Sequence, residues 1–142
     1  MNLVKSFLVD RKFLGDVEGR WVHVKDNYLD GLAFGGMVAS ARALGRFLRD
    51  QLSPESVLLG PEGRRLLYEQ QRNNAGEDVA MTLGWHVGAR GGKCFFKEGG
   101  GAGFHGEMRI RPSAGVAWVA IANSGSFSAK QLLDRAERAS VS

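Results

Sequence analysis

A chain of 142 residues, 44% of them hydrophobic, has the size of a single domain spanning 1–142 and enough apolar side chains for a core. Nineteen Lys and Arg against fifteen Asp and Glu give a formal charge of +4 that is scattered along the chain, so nucleic acid is not an expected partner. The one cysteine, Cys94, excludes an internal disulfide framework, and no cluster of His, Cys or carboxylates has metal-ligand spacing, so neither metal nor cofactor is expected.

The start carries Phe7-Leu8-Val9, but Asp10-Arg11-Lys12 cuts this apolar run far short of the about 7 to 15 residues of a signal-peptide core. No segment approaches the ~18 apolar residues of a membrane span, so a soluble chain without a membrane partner is expected, cytoplasmic as written. Residues 1–36 mix short apolar runs with Gly15, Gly19, Gly31, Gly35 and Gly36 and hold no sustained period, which predicts strand fragments and loops. Order returns at Ser40, where Leu44, Phe47, Leu48 and Leu52 mark one face of an amphipathic helix of about three turns. Ser53-Pro54-Glu55 has the form of a helix cap followed by proline at the first helical position, and Pro61-Glu62 repeats that signal before Leu66, Leu67 and Tyr68. The polar stretch 72–78, with Asn73-Asn74 and Gly76, is expected to cross the surface.

From Thr82 the period changes to two. Leu83, Trp85 and Val87 alternate with Gly84 and His86, Gly91-Gly92 supplies a turn, and a strand follows over Lys93 to Lys97 with Cys94 buried in it. The next strand, Gly103 to Arg111, sends Phe104, Met108 and Ile110 to one face and His105, Glu107, Arg109 and Arg111 to the other, so one face should be core and the other polar. A turn at Pro112-Ser113-Ala114-Gly115 leads into Val116 to Ala122, apolar on both faces and suited to the middle of a covered sheet. The last helix is announced by the capping-box pair Ser128 and Gln131 and by Phe127 and Leu132 at the positions of a hydrophobic staple; Ala129, Leu132, Leu133 and Ala136 form its expected buried stripe. Trp85 and Trp118 fall in apolar patterns and are expected in the core, and His23 and His86 are expected to be structural. These elements make an α+β arrangement, an antiparallel sheet packed by helices.

The stretch richest in chemistry is Lys97-Glu98-Gly99-Gly100-Gly101-Ala102-Gly103-Phe104-His105-Gly106. A strand edge that carries a lysine and then frees its backbone amides is one way to build an oxyanion site. Two plainer readings stand beside it: a lysine that guards an exposed edge, and glycines that form only a wide turn. Gly101 to Gly106 also fits G-x-G-x-x-G, but that fingerprint must open a helix, whereas Glu107 to Arg111 alternates as a strand.

Gly35-Gly36-Met37-Val38-Ala39-Ser40-Ala41-Arg42-Ala43-Leu44-Gly45-Arg46-Phe47-Leu48 resembles a helix start of serine β-lactamase-like hydrolases, the family of class C β-lactamases, D-alanyl-D-alanine peptidases and related esterases. Leu83-Gly84-Trp85, the stretch Lys97 to Phe104 and the strand ending near Asn123 are similar, in order and spacing, to the C-terminal third of that family, and the resemblance covers about residues 20–140. It implies a partial β-lactamase/transpeptidase-like fold. Such enzymes use a serine nucleophile with a lysine three residues later, a tyrosine or serine in a second motif, and Lys-Thr-Gly or His-Thr-Gly on the edge strand. Lys97, Glu98 and Gly99 match that third motif, with Glu98 where threonine is usual. The resemblance implies that Lys97 binds a substrate carboxylate or adjusts the proton network and that the Gly100 amide contributes to the oxyanion hole. Glu98, Gly99, Gly101 and His105 are the implied substrate-binding neighbours. Ala43 departs from the family's aspartate at the third helical position, which costs helix stability and not chemistry.

No serine of this chain has a lysine three residues on; Ser128-Ala129-Lys130 has the wrong spacing, and Tyr28-Leu29-Asp30 lies too close to Gly35 and lacks the asparagine of a second motif. The expectation is therefore the C-terminal portion of a hydrolase that acts on amide or ester bonds through an acyl-enzyme, without its nucleophile and inactive alone. Its substrate in the parent architecture would be a small-molecule or peptide acyl compound. The alternative is a non-catalytic binding module that self-associates. In the family the N-terminal strands pair beside the last strand of the meander, so Val116 to Ala122 should have an open edge, and a homodimer or strand-exchanged assembly is expected. Residues 1–25 offer a substitute strand, in the same chain or in a neighbour.

Overall fold

The structure, a computed structural model, describes residues 14–19, 21–24, 35, 37–88, 93–101 and 103–140. The Gly91-Gly92 turn, the Tyr28-Leu29-Asp30 triplet, the apolar residues 3–9 and the His23 side chain lie outside what is described. The chain divides into two compact units, 1–38 and 39–142. In the first, β1 (Leu14–Glu18) and β2 (Trp21–Val24) form a two-stranded antiparallel sheet with Glu18 opposite Trp21, and Gly19 turns the chain at φ +58°, a conformation that only glycine adopts without strain.

The second unit is layered around a four-stranded antiparallel sheet. Strands β3 (His86–Gly88), β4 (Cys94–Gly101), β5 (Phe104–Arg111) and β6 (Val116–Ala122) lie in sequence order, each paired with its chain neighbour. Helices α1 (Ala41–Leu52) and α2 (Pro61–Tyr68) lie on one face of the sheet and α3 (Ala129–Ser140) on the other. This is the expected α+β arrangement. A turn of 3₁₀ helix at Pro112–Ala114 joins β5 to β6 and closes on Gly115 at φ +66°, whose N–H donates to the Pro112 carbonyl.

Helix α1 begins where the sequence places it, because the Ser40 hydroxyl accepts the Ala43 N–H at 3.2 Å and satisfies one of the donors that a helix start leaves open. Its apolar stripe meets the sheet: Leu48 joins Trp85, Phe95 and Ile110 in the main core, with Phe47, Leu52, Leu67, Tyr68, Met108 and Val119 around them. Complete burial of Leu48 and Ile110 is worth about 1.5 to 3 kcal/mol each. A second cluster of Ala120, Ala129 and Leu133, flanked by Trp118 and Phe127, seats α3.

Three local expectations are corrected. Pro54 does not open a helix: it lacks an N–H and forces Ser53 out of helical geometry, to ψ 134°, so the pair ends α1 while the Ser53 N–H still closes onto Arg49 and Asp50. Leu83 is exposed although Trp85 is buried. The strand starts only at His86, and Thr82 to Trp85 is a tight turn in which Thr82 N–H donates to the Trp85 carbonyl at 2.8 Å and Gly84 takes φ +150°. Leu132 is also exposed; the stripe of α3 that faces the sheet runs through Ala129 and Leu133, and Phe127 packs on that stripe. Pro61 does start α2, and Val116 to Ala122 has a helix on each face, α1 on one and α3 on the other, with Ile121 near its end left exposed. Among the described residues, however, β6 is an outer strand of the sheet and not a central one.

Candidate functional site

The glycine run is strand, not turn. β4 continues through Gly101, with Gly99, Gly100 and Gly101 opposite Gly106, His105 and Phe104 on β5, and residues 102 and 103 alone connect the two strands. The direction of each β4 amide follows from one bond. Val87 N–H donates to the Ala80 carbonyl at 3.0 Å, away from β4, so the opposed residues Val87 and Phe95 are a pair that does not exchange ladder bonds. Phe95, Lys97, Gly99 and Gly101 then turn their N–H and C=O groups toward β5, and Phe96, Glu98 and Gly100 turn theirs toward the β3 side. β3 pairs only with Cys94 to Phe96, so within the described sheet Glu98 and Gly100 aim their amides at an edge that no strand covers.

Side chains alternate independently of this. Lys97 shares the α1 face with Phe95, Gly99, Gly101, Met108 and Ile121, and at this end of the sheet that face is exposed, with Phe104 53% and Ile121 40% accessible. Two glycines there lie where a β-carbon would press on a neighbouring side chain. A β-carbon on Gly101 would lie 2.6 Å from the Phe104 ring, and one on Gly106 would lie 2.8 Å from Ile121 Cγ2 and 3.3 Å from the Ala120 carbonyl oxygen. Lys97 is exposed and has no ion-pair partner among the described residues.

Glu98 and His105 lie on the opposite face, toward α3. Of the expected site residues the structure therefore brings together Lys97, Gly99 and Gly101 on one face and the Gly100 amide at the edge, whereas His105 is directed elsewhere: its Nδ1 accepts the Ala129 N–H at the start of α3, at 3.4 Å.

The face expected to be polar is buried. Glu107 and Arg109 are only 4% and 6% exposed because α3 covers them with charges of its own. Arg109 Nε donates to Glu107 at 2.5 Å, its Nη1 to Asp134 at 2.8 Å and to Glu137 at 2.7 Å, and its Nη2 to the Lys130 carbonyl at 3.2 Å; Arg111 donates to Glu137 at 3.2 Å and Lys130 to Asp134 at 2.9 Å. Three carboxylates thus balance three cations. Burial alone would weaken the proton affinity of Arg109, but its bonds to Glu107, Asp134 and Glu137 reverse this and raise its pKa. The Lys130 and Arg109 hydrogen bonds hold Asp134 down at about 2.

A cleft of about 270 Å³ opens beside this cluster, between the sheet and α3, and is lined by Phe96, Cys94 and the charged groups just named; neither Lys97 nor Gly100 borders it. Burial, followed by the Glu137 carboxylate, pushes the Cys94 thiol up, so it is a protonated core side chain and not a nucleophile, as the sequence predicts. Trp85 is core and His86 stacks on Phe96 at 5.0 Å, both in structural places. Tyr68 is likewise no base: burial raises its phenol to about 12, and its ring packs 4.7 Å from that of Phe95. Among the described residues no group of three His, Cys, Asp or Glu side chains is placed to hold a metal ion, and no helix is long and apolar enough to cross a membrane.

The charge cluster is the feature that the strand pattern alone missed. Its signal was present in α3, where Lys130, Asp134 and Glu137 recur at helical spacing beside the apolar stripe and complement Arg109 and Arg111.

A family model described as Beta-lactamase matches residues 10–141. No curated protein and no solved structure matches. The helices and antiparallel sheet of 39–142 agree with a partial beta-lactamase-like fold.

Proposed function

The chain belongs to the beta-lactamase family, and from that premise we propose that it supplies the substrate-facing edge of a serine hydrolase acting on amide or ester bonds through an acyl-enzyme. The observation that carries this reading is the open β4 edge, where the outward Gly100 amide follows the exposed cation of Lys97 by three residues. In this proposal Lys97 meets an anionic group of the substrate and the Gly100 N–H faces the oxygen on which charge develops during acyl transfer. Such a donor acts through its fixed direction toward that charge.

The chain contains no Ser-x-x-Lys. Acyl transfer needs a nucleophile and its base within hydrogen-bond reach of each other, so we propose that this chain is catalytically silent by itself and works as a portion of a larger active site. The purified chain, assayed with a chromogenic cephalosporin and a p-nitrophenyl ester, should give no turnover above buffer. Addition of a family segment that carries Ser-x-x-Lys should restore turnover that depends on Lys97. Turnover by the chain alone that vanishes when one of its own serines is replaced would overturn the proposal.

A second reading, a binding module that self-associates, is favoured by the outer strand β6, whose residues include neither charge nor proline, and by the exposed Phe104 and Ile121. It predicts a homodimer or strand-exchanged assembly centred on Val116 to Ala122. Light scattering that gives the monomer mass at high micromolar concentration, with amides 116–122 protected from exchange, would exclude it.

A further inference from the structure

We infer that His105 is a positioning residue for the oxyanion edge: it ties the Gly100 segment to the first turn of α3. The inference rests on the proposed role of the Gly100 amide and adds a group that holds it. Three observations meet at this side chain. The register sets His105 directly opposite Gly100 on β4 and Ala122 on β6. Its ring lies so close to Gly100 that a β-carbon there would stand 3.1 Å from His105 Cδ2. Its Nδ1 accepts the N–H of Ala129, the first residue of α3, at 3.4 Å, which places the ring's own proton on Nε2.

The first N–H groups of a helix have no acceptor within the helix. In α3 the Ser128 hydroxyl takes the Gln131 N–H at 3.3 Å, and the imidazole of a neighbouring strand takes the Ala129 N–H that the serine leaves. The helix is itself fixed, with Ala129 fully buried and Arg109 bonded to Asp134 and Glu137 further along. The imidazole is thus held by α3 on one side and backs Gly100 on the other. Gly99 to Gly101 have no side chains to anchor them and the widest backbone freedom to lose, so their order comes from the β5 ladder and from this ring. An oxyanion donor contributes in proportion to how firmly its direction is set, and a contact that narrows the motion of Gly100 therefore acts on the site without touching substrate.

Amide hydrogen exchange by NMR on the full chain tests this at single residues, with His105→Ala and His105→Asn. The Asn amide oxygen can take over as acceptor for the Ala129 N–H. In His105→Ala the ladder amides of Gly99 and Gly101 should lose protection about tenfold or more, while Ile110 in the core changes less than about threefold. His105→Asn should recover at least half of the logarithmic loss. An equal loss at Ile110, unchanged protection at Gly99 and Gly101, or an Asn variant as deficient as the Ala variant would each overturn the inference. No substrate enters the measurement, so failure of the coupling and failure of the reconstituted hydrolase are separate results.

Discussion

On the α3 face, β5 contributes Glu107, Arg109 and Arg111, and the helix answers with Lys130, Asp134 and Glu137; these groups bond to one another, with Glu107 and Arg109 buried at the centre and Lys130 exposed at the rim. On the α1 face, at the Lys97 end, the same strands carry glycines, one exposed lysine, and the half-exposed Phe104 and Ile121. One surface is fixed by charge pairing and the other is kept low by the absence of side chains. A buried ion cluster tolerates little change, because each charge depends on its partners, whereas a glycine floor leaves room for a ligand or for another part of a site. The contrast separates residues that hold the fold from residues that the fold leaves open.

Arg109 is where the charged face should break first. Replacing it with Met leaves Glu107, Asp134 and Glu137 without their common partner, and removing one member of such a buried set costs about 3 to 5 kcal/mol. Urea titration should show the loss, and Cys94, which lies in the same cleft, should become reactive to a thiol reagent. A midpoint within error of the parent chain would mean that the cluster is worth no more than the solvation it replaced.

The glycine face should break through volume. Gly106→Ala presses a methyl group on Ile121 Cγ2 and toward the Ala120 carbonyl, and overpacking of this kind costs about 1 to 3 kcal/mol. Gly101→Ala makes a closer approach, 2.6 Å, but meets only the ring of the exposed Phe104, which can swing aside. Gly106→Ala should therefore be the more destabilising of the two in thermal unfolding. The reverse order would show that the Phe104 ring is pinned.

Much of this contrast was legible in the sequence. Periodicity gave the meander and the helix at Ser40, since alternation is a property of the strand itself. Pro54 misled because proline serves both helix starts and helix ends, and only the geometry of Ser53 decides. Alternation tells which side chains share a face but not what lies above them, so it predicts a polar face at His105, Glu107 and Arg109 without the helix α3 that covers it. The glycine run was extended rather than turned for a related reason: β5 supplies ladder partners as far as Gly101, and tertiary pairing overrides the low strand preference of glycine.

Acid should weaken the charged face. The Asp134 pKa is lowered from 3.8 to about 2, so it is a carboxylate favoured by folding; its contribution is fully present above about 3.8 and is lost as pH falls toward 2. Asp134→Asn should be less stable than the parent at pH 6, and the difference should shrink progressively between pH 4 and 2. A gap that stays constant over that range would place the cost in packing and not in charge.

The smallest expected effect is the sharpest test of the glycine face. Lys97 is exposed, shows no ion pair among the described residues, and lies where its face of the sheet is open, so the fold has no evident use for it. Lys97→Gln keeps a polar side chain of comparable length and removes the charge. Stability should change by no more than about 0.5 kcal/mol, the usual range for a surface position without a special role. If Lys97 instead meets an anionic substrate group, the same substitution should raise KM in the reconstituted hydrolase far more than it alters unfolding. An unfolding midpoint that drops as it does for Gly106→Ala would make Lys97 a structural residue, and the division between a face that folds and a face that works would fail at the residue on which the proposed site depends most.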